Sequence, residues 1–150
     1  MTGPPPCRRL LAVCADPDDL ADLSAPVKEF AASGAVVKIL ILTHGEIGTS
    51  PRRRFERASE LARAAAALGA EEVDLLDHPA GRLTTVGRTR LIDDTSHAAA
   101  GSDVILCVSG GRTSTRERTA VLAAAREAAR RVGSTVILAD PRGVAARSGS

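Results

Sequence analysis

The sequence predicts an α/β fold, a Rossmann-like three-layer sandwich around a five-stranded parallel sheet in the order 3-2-1-4-5. Five short apolar runs alternate with four longer segments of helical periodicity. This alternation favours parallel strands with helices on both faces. Helix start and stop signals flank the longer segments, and right-handed crossovers then give a doubly wound sheet.

The five predicted strands are near-continuous hydrophobic stretches with β-branched residues, as expected of strands that are covered on both faces. They are Leu10–Ala15, Val36–Leu42, Val73–Leu76, Val104–Val108 and Thr135–Ala139. The chain has no Trp, no Tyr and two Phe. We therefore expect a core built from Ala, Val, Leu and Ile.

Four helices are predicted between the strands, at residues 18–33, 51–68, 85–100 and 115–132. Ser50 followed by Pro51 is typical of a helix start, and Ser114 with Glu117 matches a capping box. Pro26 lies inside the first helical pattern, and we expect it to split that helix into a short turn and a second piece. Glycines suited to helix ends follow three of the helices, at Gly34, Gly69 and Gly133.

The chain of 150 residues fits one domain, expected at 9–140, with a disordered lead at 1–8 and a flexible tail at 141–150. A net charge of +2 and the scarcity of aromatic residues argue against direct nucleic-acid binding. Three cysteines lie in apolar runs without metal-ligand spacing, so we expect buried, reduced thiols in a cytoplasmic protein. No signal peptide and no membrane span are expected.

Two polar loops follow strands that this topology places side by side. Asp16-Pro17-Asp18-Asp19 follows the first strand, and 109–114 follows the fourth, just before Arg116 and Arg118. Ligands of open parallel sheets bind at the carboxyl ends of strands where the strand order reverses. The acidic loop taken alone is more typical of a helix start with capping Asp residues. The capping box likewise accounts for Glu117.

Four motifs in chain order resemble those of the LmbE/PIG-L deacetylases. The segment from Leu11 to Asp19 is similar to a family motif that reads Ala-His-Pro-Asp-Asp-Glu after a strand. The other three are Thr43–Gly48, then Arg57-Ala58-Ser59-Glu60 with Ala64–Ala70, and Gly81-Arg82-Leu83. The resemblance runs from about residue 10 to about residue 130 and implies the same α/β fold.

The resemblance implies zinc-dependent removal of an acetyl group from an N-acetylated sugar or a related amide. It implies metal ligands at positions 16, 19 and 118, with Asp18 as the base that activates the metal-bound water. This chain has Asp16 where the family has His, and Arg118 where the family has its third ligand, also His. Thr115 replaces a second His that would steady the oxyanion.

These replacements lead us to predict no catalytic zinc and no other cofactor. The guanidinium of Arg118 has no free acceptor and stays protonated, so it cannot ligate a cation. Two adjacent carboxylates alone do not make a tight zinc site. We expect Arg118 to occupy the place of the metal and to pair with Asp16 and Asp19.

Histidine offers no clear replacement for the missing ligands. His44 follows the second predicted strand and is the candidate for a rescue ligand. His44, His78 and His97 share no metal-ligand spacing. We therefore expect His44 to be a loop residue that faces solvent.

Three functions remain open. The first is a non-catalytic domain that senses a small polar ligand or binds a protein partner through Asp18, Arg57, Arg112 and Thr115. The second is a divergent metal-dependent amide hydrolase with Asp16, Asp18 and Asp19 around the metal, and zinc would be a cofactor only in this case. The third is a structural role as a homodimer through the open face of the domain.

Overall fold

The structure is a computed structural model that describes residues 6–44, 50–79, 82–108, 115–139 and 145–147. Its strands are β1 (Arg9–Cys14), β2 (Val36–Ile41), β3 (Ala70–Leu75), β4 (Val104–Val108), β5 (Thr135–Ala139) and β6 (Ala145–Arg147). Its helices are α1 (Asp18–Ala32), α2 (Pro51–Ala67), α3 (Arg88–Ala99) and α4 (Thr115–Val132). A short 3₁₀ turn at Leu83–Thr85 precedes α3.

The sheet has the order β3-β2-β1-β4-β5-β6, and β1 to β5 are parallel. The predicted order 3-2-1-4-5 and the α/β class are therefore confirmed. Strand β1 lies at the centre, where Leu11 is in register with Lys38 of β2 and Ile105 of β4. From β1 the chain adds β2 and β3 on one side of the sheet and then crosses over to add β4 and β5 on the other side. The carboxyl ends of β1 and β4 therefore form the switch point.

Alternate side chains of the central strand enter two separate apolar layers, because successive residues of a strand point to opposite faces. Leu10 and Ala12 pack with α1 and α2 residues such as Leu23, Phe30 and Leu61. Leu11 and Val13 belong instead to a second cluster with α3 and α4 residues, including Leu91, Val121 and Ala125. The sheet and the helices on its two faces therefore form three layers. Ala, Val, Leu and Ile make up most of the two apolar clusters between them.

Helix α1 corrects one prediction, because Pro26 lies inside a continuous helix and does not split it. A proline in a helix interior removes a backbone hydrogen bond and costs about 3 kcal/mol. The helix tolerates this because Pro26 lies on its buried face with Leu23, Val27 and Phe30. Burial of that face in the core outweighs the local penalty.

The helix boundary predicted at Gly69 is confirmed, and its geometry requires glycine. Gly69 has a φ of 91°, a left-handed conformation that favours glycine. A Cβ built there would lie 2.7 Å from Cβ of Ala31, so a side chain would also collide with α1. This contact sets how closely the end of α2 can approach α1.

The ends of the domain differ from the expectation. Residues 1–5 lie outside the described part, but the Arg8 N–H already donates to Oδ2 of Asp103 at 2.8 Å, so the fold extends beyond the predicted boundary at residue 9. Within the expected tail, β6 pairs antiparallel with β5. Short strands of this kind cover an exposed sheet edge. The hydrophobic pattern of the sequence does not indicate β6.

Burial corrects the expectation about the cysteines. Cys14 and Cys107 are buried free thiols, whereas Cys7 is only partly buried and corrects the expectation of three buried cysteines. Among the described residues, no helix combines the length and apolar character needed to cross a membrane.

Candidate functional site

The candidate site lies where α1 and α4 begin, beside the carboxyl ends of β1 and β4. Helix α1 starts at Asp18, four residues after β1 ends, and α4 starts at Thr115. The segment 109–114, which connects β4 to α4, lies outside the described residues. The acidic loop after β1 and the first turn of α4 meet at this edge of the sheet, as the strand order predicted.

Asp19 is the most deeply buried carboxylate of the site, with 2% of its surface exposed. Its Oδ2 accepts a hydrogen bond from the Ala15 N–H at 2.9 Å, and its Oδ1 accepts one from Nη2 of Arg118 at 2.6 Å. The hydroxyl of Thr43, two residues after the end of β2, donates to the Ala15 carbonyl at 3.1 Å and so holds the same backbone segment. Asp19 is therefore a fixed anion that receives donors on both oxygens.

Arg118 is the buried cation of the site, with 8% of its surface exposed. Besides Asp19, its Nη2 contacts Oδ2 of Asp22 at 3.2 Å. Asp19 and Asp22 stand three residues apart on α1 and therefore present their carboxylates on one face of the helix. The predicted pairing of Arg118 with Asp19 is confirmed, whereas its predicted pairing with Asp16 stays a prediction. Asp22 is a second partner that the sequence analysis did not assign.

The rest of the Arg118 guanidinium is buried without hydrogen-bond partners. Within the described part of the chain, Nε and Nη1 have none. A guanidinium has five N–H donors, of which Nε carries one and Nη1 two, so three donors remain unused. Buried donors that lack acceptors cost free energy, and they mark a place where an acceptor from a ligand or water would be stabilising.

Asp16 shapes the loop in front of this ion pair. Its Oδ1 accepts a hydrogen bond from the Asp18 N–H at 2.9 Å, and its carbonyl accepts one from the Asp19 N–H at 3.1 Å. Burial raises the pKa of Asp16, and the negative charge of Asp19 raises it further. Asp18, for which the resemblance implies the role of a base, has an exposed side chain at the start of α1.

Glu117 is a buried carboxylate with a role that the sequence analysis missed. It is 5% exposed, and its Oε1 accepts a hydrogen bond from the Leu83 N–H at 3.1 Å. Burial raises the pKa of Glu117, the hydrogen bond from Leu83 opposes this shift, and the charges of Asp16 and Asp19 add to it. Ser114 of the predicted capping box lies outside the described residues, but Glu117 has this long-range bond in any case.

The remaining predicted ligand-binding residues are not shown in contact with Arg118. Arg57 is half-buried on α2 and has no ion pair within the described ranges. Arg112 lies outside those ranges. Thr115 opens α4, which places its backbone beside the site. The geometry therefore supports a core of Asp16, Asp19 and Arg118 and adds Asp22 and Glu117 to it.

His44 is more buried than expected, and His78 is partly buried as well. The side chain of His44 is 16% exposed, so the expectation that it faces solvent is wrong. Its Nδ1 lies 3.5 Å from Oδ1 of Asp77, too far for a good hydrogen bond. The side chain of His78 is 11% exposed, and its Nε2 lies 2.7 Å from Oδ2 of Asp94. Each histidine thus faces its own aspartate.

The residues present at this site do not fit a catalytic zinc ion. Zinc sites of hydrolases use three His or carboxylate ligands and keep one open position. The third ligand position implied by the resemblance is Arg118, whose cationic guanidinium pairs with Asp19. In the parts of the chain that the structure describes, no group of three or more His, Cys, Asp or Glu residues could hold a metal ion.

Comparison with known proteins gives one family and a consistent fold. Residues 11–142 match the sequence model of the family described as PIG-L, GlcNAc-PI de-N-acetylase. No curated protein matches the chain. Solved structures with the same fold include a conserved protein of Thermus thermophilus, with 24% identity and a TM-score of 0.66 over 87% of this chain.

Two further solved structures are of enzymes with different activities. An N,N'-diacetylchitobiose deacetylase of Pyrococcus horikoshii is 16% identical, with a TM-score of 0.70 over 89% of this chain. A 4-carboxy-2-hydroxymuconate hydratase of Pseudomonas putida is 19% identical, with a TM-score of 0.65 over 87% of this chain. These likenesses show the fold, and a shared fold does not fix the reaction. The chain spans 60–65% of the length of these three proteins.

Proposed function

Because the chain belongs to the PIG-L family of GlcNAc-PI de-N-acetylases, we propose that it is a catalytically degenerate, ligand-binding member in which a fixed cation takes the place of zinc. The contact between Arg118 and Asp19, 2.6 Å long and buried, is the observation that carries this proposal. Both residues stand at positions where the family resemblance implies metal ligands. A protonated guanidinium there gives the acidic loop its counter-charge without any bound metal.

The charge balance of the site supports the replacement of zinc by the guanidinium of Arg118. Arg118 supplies one positive charge where zinc would supply two. Asp19 and Asp22 contact it, and Asp16 and Glu117 lie close enough to Asp19 for its charge to raise their pKa values. Burial and the charge of Asp19 raise the pKa of Asp16, as expected where carboxylates are only partly neutralised. An anionic ligand would meet these carboxylates and be repelled, so the site favours a neutral polar ligand.

The unused donors of Arg118 define the chemistry of such a ligand. The N–H groups at Nε and Nη1 would take an acceptor oxygen, such as that of a hydroxyl or an amide. Asp16, which is partly buried and lies close enough to Asp19 for their charges to interact, would accept a hydrogen bond from a hydroxyl or an amide N–H. The proposed ligand is therefore a small neutral molecule with both donors and acceptors, and its binding would serve regulation or partner recognition.

A metal-dependent amide hydrolase is the competing function, and metal analysis separates the two. Protein purified without chelator would be analysed for zinc and assayed for release of acetate from N-acetylglucosamine derivatives. We expect substoichiometric zinc and no acetate release that depends on Asp19. Stoichiometric zinc, together with acetate release that is lost in Asp19→Asn, would replace the proposal. Glu29→Gln, an exposed change on α1, is the matched control.

A further inference from the structure

An open apolar cavity lies on the side of α4 away from the ion pair, between α4, the 3₁₀ turn and the start of α3. Its volume is about 480 Å³, which is within the range of small-molecule sites. Leu83, Leu91 and Ala124 form its buried floor, and Val86 and Ala123 line its walls. Asp19, Asp22 and Arg118 do not line it, so it is distinct from the site described above.

Two arginines give the mouth of this cavity a positive charge. Arg88 at the start of α3 and Arg116 in the first turn of α4 both line it and are exposed. Neither has an ion pair or a side-chain hydrogen bond to any other residue that the structure describes. Hydrogen bonds from Arg130 lower the pKa of Glu127, and Arg88 adds only a smaller effect, so this carboxylate already has its counter-charge.

We propose that this cavity binds a small amphipathic carboxylate, such as a medium-chain fatty acid. The alkyl chain packs against Val86, Leu91 and Ala123, and the carboxylate lies between Arg88 and Arg116. Apolar walls with a few convergent polar groups are typical of sites for such ligands. A pair of guanidinium groups at the mouth complements a carboxylate and offers a neutral head group much less.

The length of the alkyl chain and the two arginines should each change the affinity by a measurable factor. Each additional buried methylene strengthens binding roughly fourfold until the cavity is full. Loss of one arginine from the mouth weakens carboxylate binding by roughly tenfold, because these contacts are charge-assisted but exposed. The affinity for a neutral alcohol of the same length should also rise with each added methylene, but it should not fall when one of the arginines is removed.

Calorimetric titration of the intact chain with octanoate, hexanoate and 1-octanol tests these statements. We expect one octanoate per chain, weaker hexanoate binding, and weaker octanoate binding in Arg88→Gln and Arg116→Gln without a matching loss for 1-octanol. Ala123→Leu fills the cavity and should weaken all three ligands. Arg53→Gln and Ala62→Leu, exposed changes on α2, are the matched controls.

Three results would overturn the proposal. The first is no octanoate binding by the wild-type chain. The second is equal affinity for octanoate and 1-octanol, which would remove the role of the arginines. The third is a loss in the α2 controls as large as in the cavity variants, which would indicate unspecific binding. Because none of the changes touches Asp19 or Arg118, the outcome is independent of the proposed function.

Discussion

The guanidinium of Arg118 lies 2.6 Å from Oδ1 of Asp19 and joins the first turn of α4 to the first turn of α1. Both side chains are buried, with 9% and 2% of their surfaces exposed. The two helices lie on opposite faces of the sheet and meet only at its carboxyl edge. This ion pair therefore connects the two outer layers, at positions where the family resemblance implies metal ligands.

Removal of Arg118 should destabilise the domain strongly. We expect Arg118→Met to lower the free energy of unfolding by about 3–5 kcal/mol, because it leaves the buried Asp19 charge without its partner. Arg116→Met, an exposed change on the same helix, should stay within about 0.5 kcal/mol of wild type. Urea unfolding at pH 7 measures both. A small loss for Arg118→Met would show that the pair is not formed in solution.

The double variant Arg118→Met with Asp19→Asn tests whether the two residues act together. Neutralising Asp19 removes the uncompensated charge that makes the single Arg118 change costly, so the double variant should lose less stability than the sum of both. A coupling of at least about 1 kcal/mol is expected from the same unfolding measurements. Strict additivity would contradict a direct pair.

Asp22 should contribute less than Asp19. Its side chain is 22% exposed and contacts Nη2 of Arg118 at 3.2 Å, whereas Asp19 accepts two hydrogen bonds at 2.6 and 2.9 Å. We expect Asp22→Asn to cost about 1 kcal/mol and Asp19→Asn to cost more. Thermal and urea unfolding of the two variants give the order, and a reversed order would contradict the geometry.

Glu117 should reduce stability as the pH rises. Because burial raises its pKa in the folded state, its ionised form is disfavoured by folding. The penalty is absent below the ordinary pKa of a glutamate and grows until the pH exceeds the raised value. Glu117→Gln keeps an acceptor for the Leu83 N–H, so its stability relative to wild type should increase across that pH range.

Unfolding of wild type and Glu117→Gln at a series of pH values measures this difference. Glu29→Gln, an exposed change on α1, should give a difference that hardly varies with pH. A difference for Glu117→Gln that is also constant, or that shrinks as the pH rises, would be inconsistent with a buried, disfavoured carboxylate.

The cysteines should differ in reactivity. Burial raises the pKa of Cys107 to about 12, and burial raises the pKa of Cys14 well above its ordinary value. Cys7 is only partly buried. We expect iodoacetamide at pH 8 to modify Cys7 first in the native protein and all three cysteines in urea, as followed by mass spectrometry. Equal native modification of Cys107 and Cys7 would contradict the burial.

Most of the fold could be predicted from the sequence because each central strand is an apolar run buried on both faces. The bounds of β4, β5 and α4 agree with the prediction, since the hydrophobic period and the flanking polar residues coincide there. Strand β3 starts earlier than expected, at Ala70, because Glu71 and Glu72 are exposed at the sheet edge and break the apolar pattern. Pro26 was misjudged because local propensity ignores the burial of α1.

The site was predictable only in part. The resemblance and the chemistry of arginine indicated the pair of Arg118 with Asp19. The spacing of Asp19 and Asp22 on one helix could have indicated the second partner of Arg118. The bond of Glu117 to the Leu83 N–H joins residues 34 positions apart, and the apolar cavity beside it is formed by two helices and a turn. Neither has a local signature in the sequence.

Zinc titration of the chelator-treated wild-type chain and of Arg118→His decides whether Arg118 keeps zinc out of the site. Arg118→His removes the fixed cation and supplies a neutral imidazole beside Asp16 and Asp19, so it should gain zinc affinity. We expect no stoichiometric zinc binding by the wild type and measurable binding by Arg118→His that is lost when Asp19→Asn is added. Stoichiometric zinc in the wild-type chain, abolished by Asp19→Asn, would contradict it.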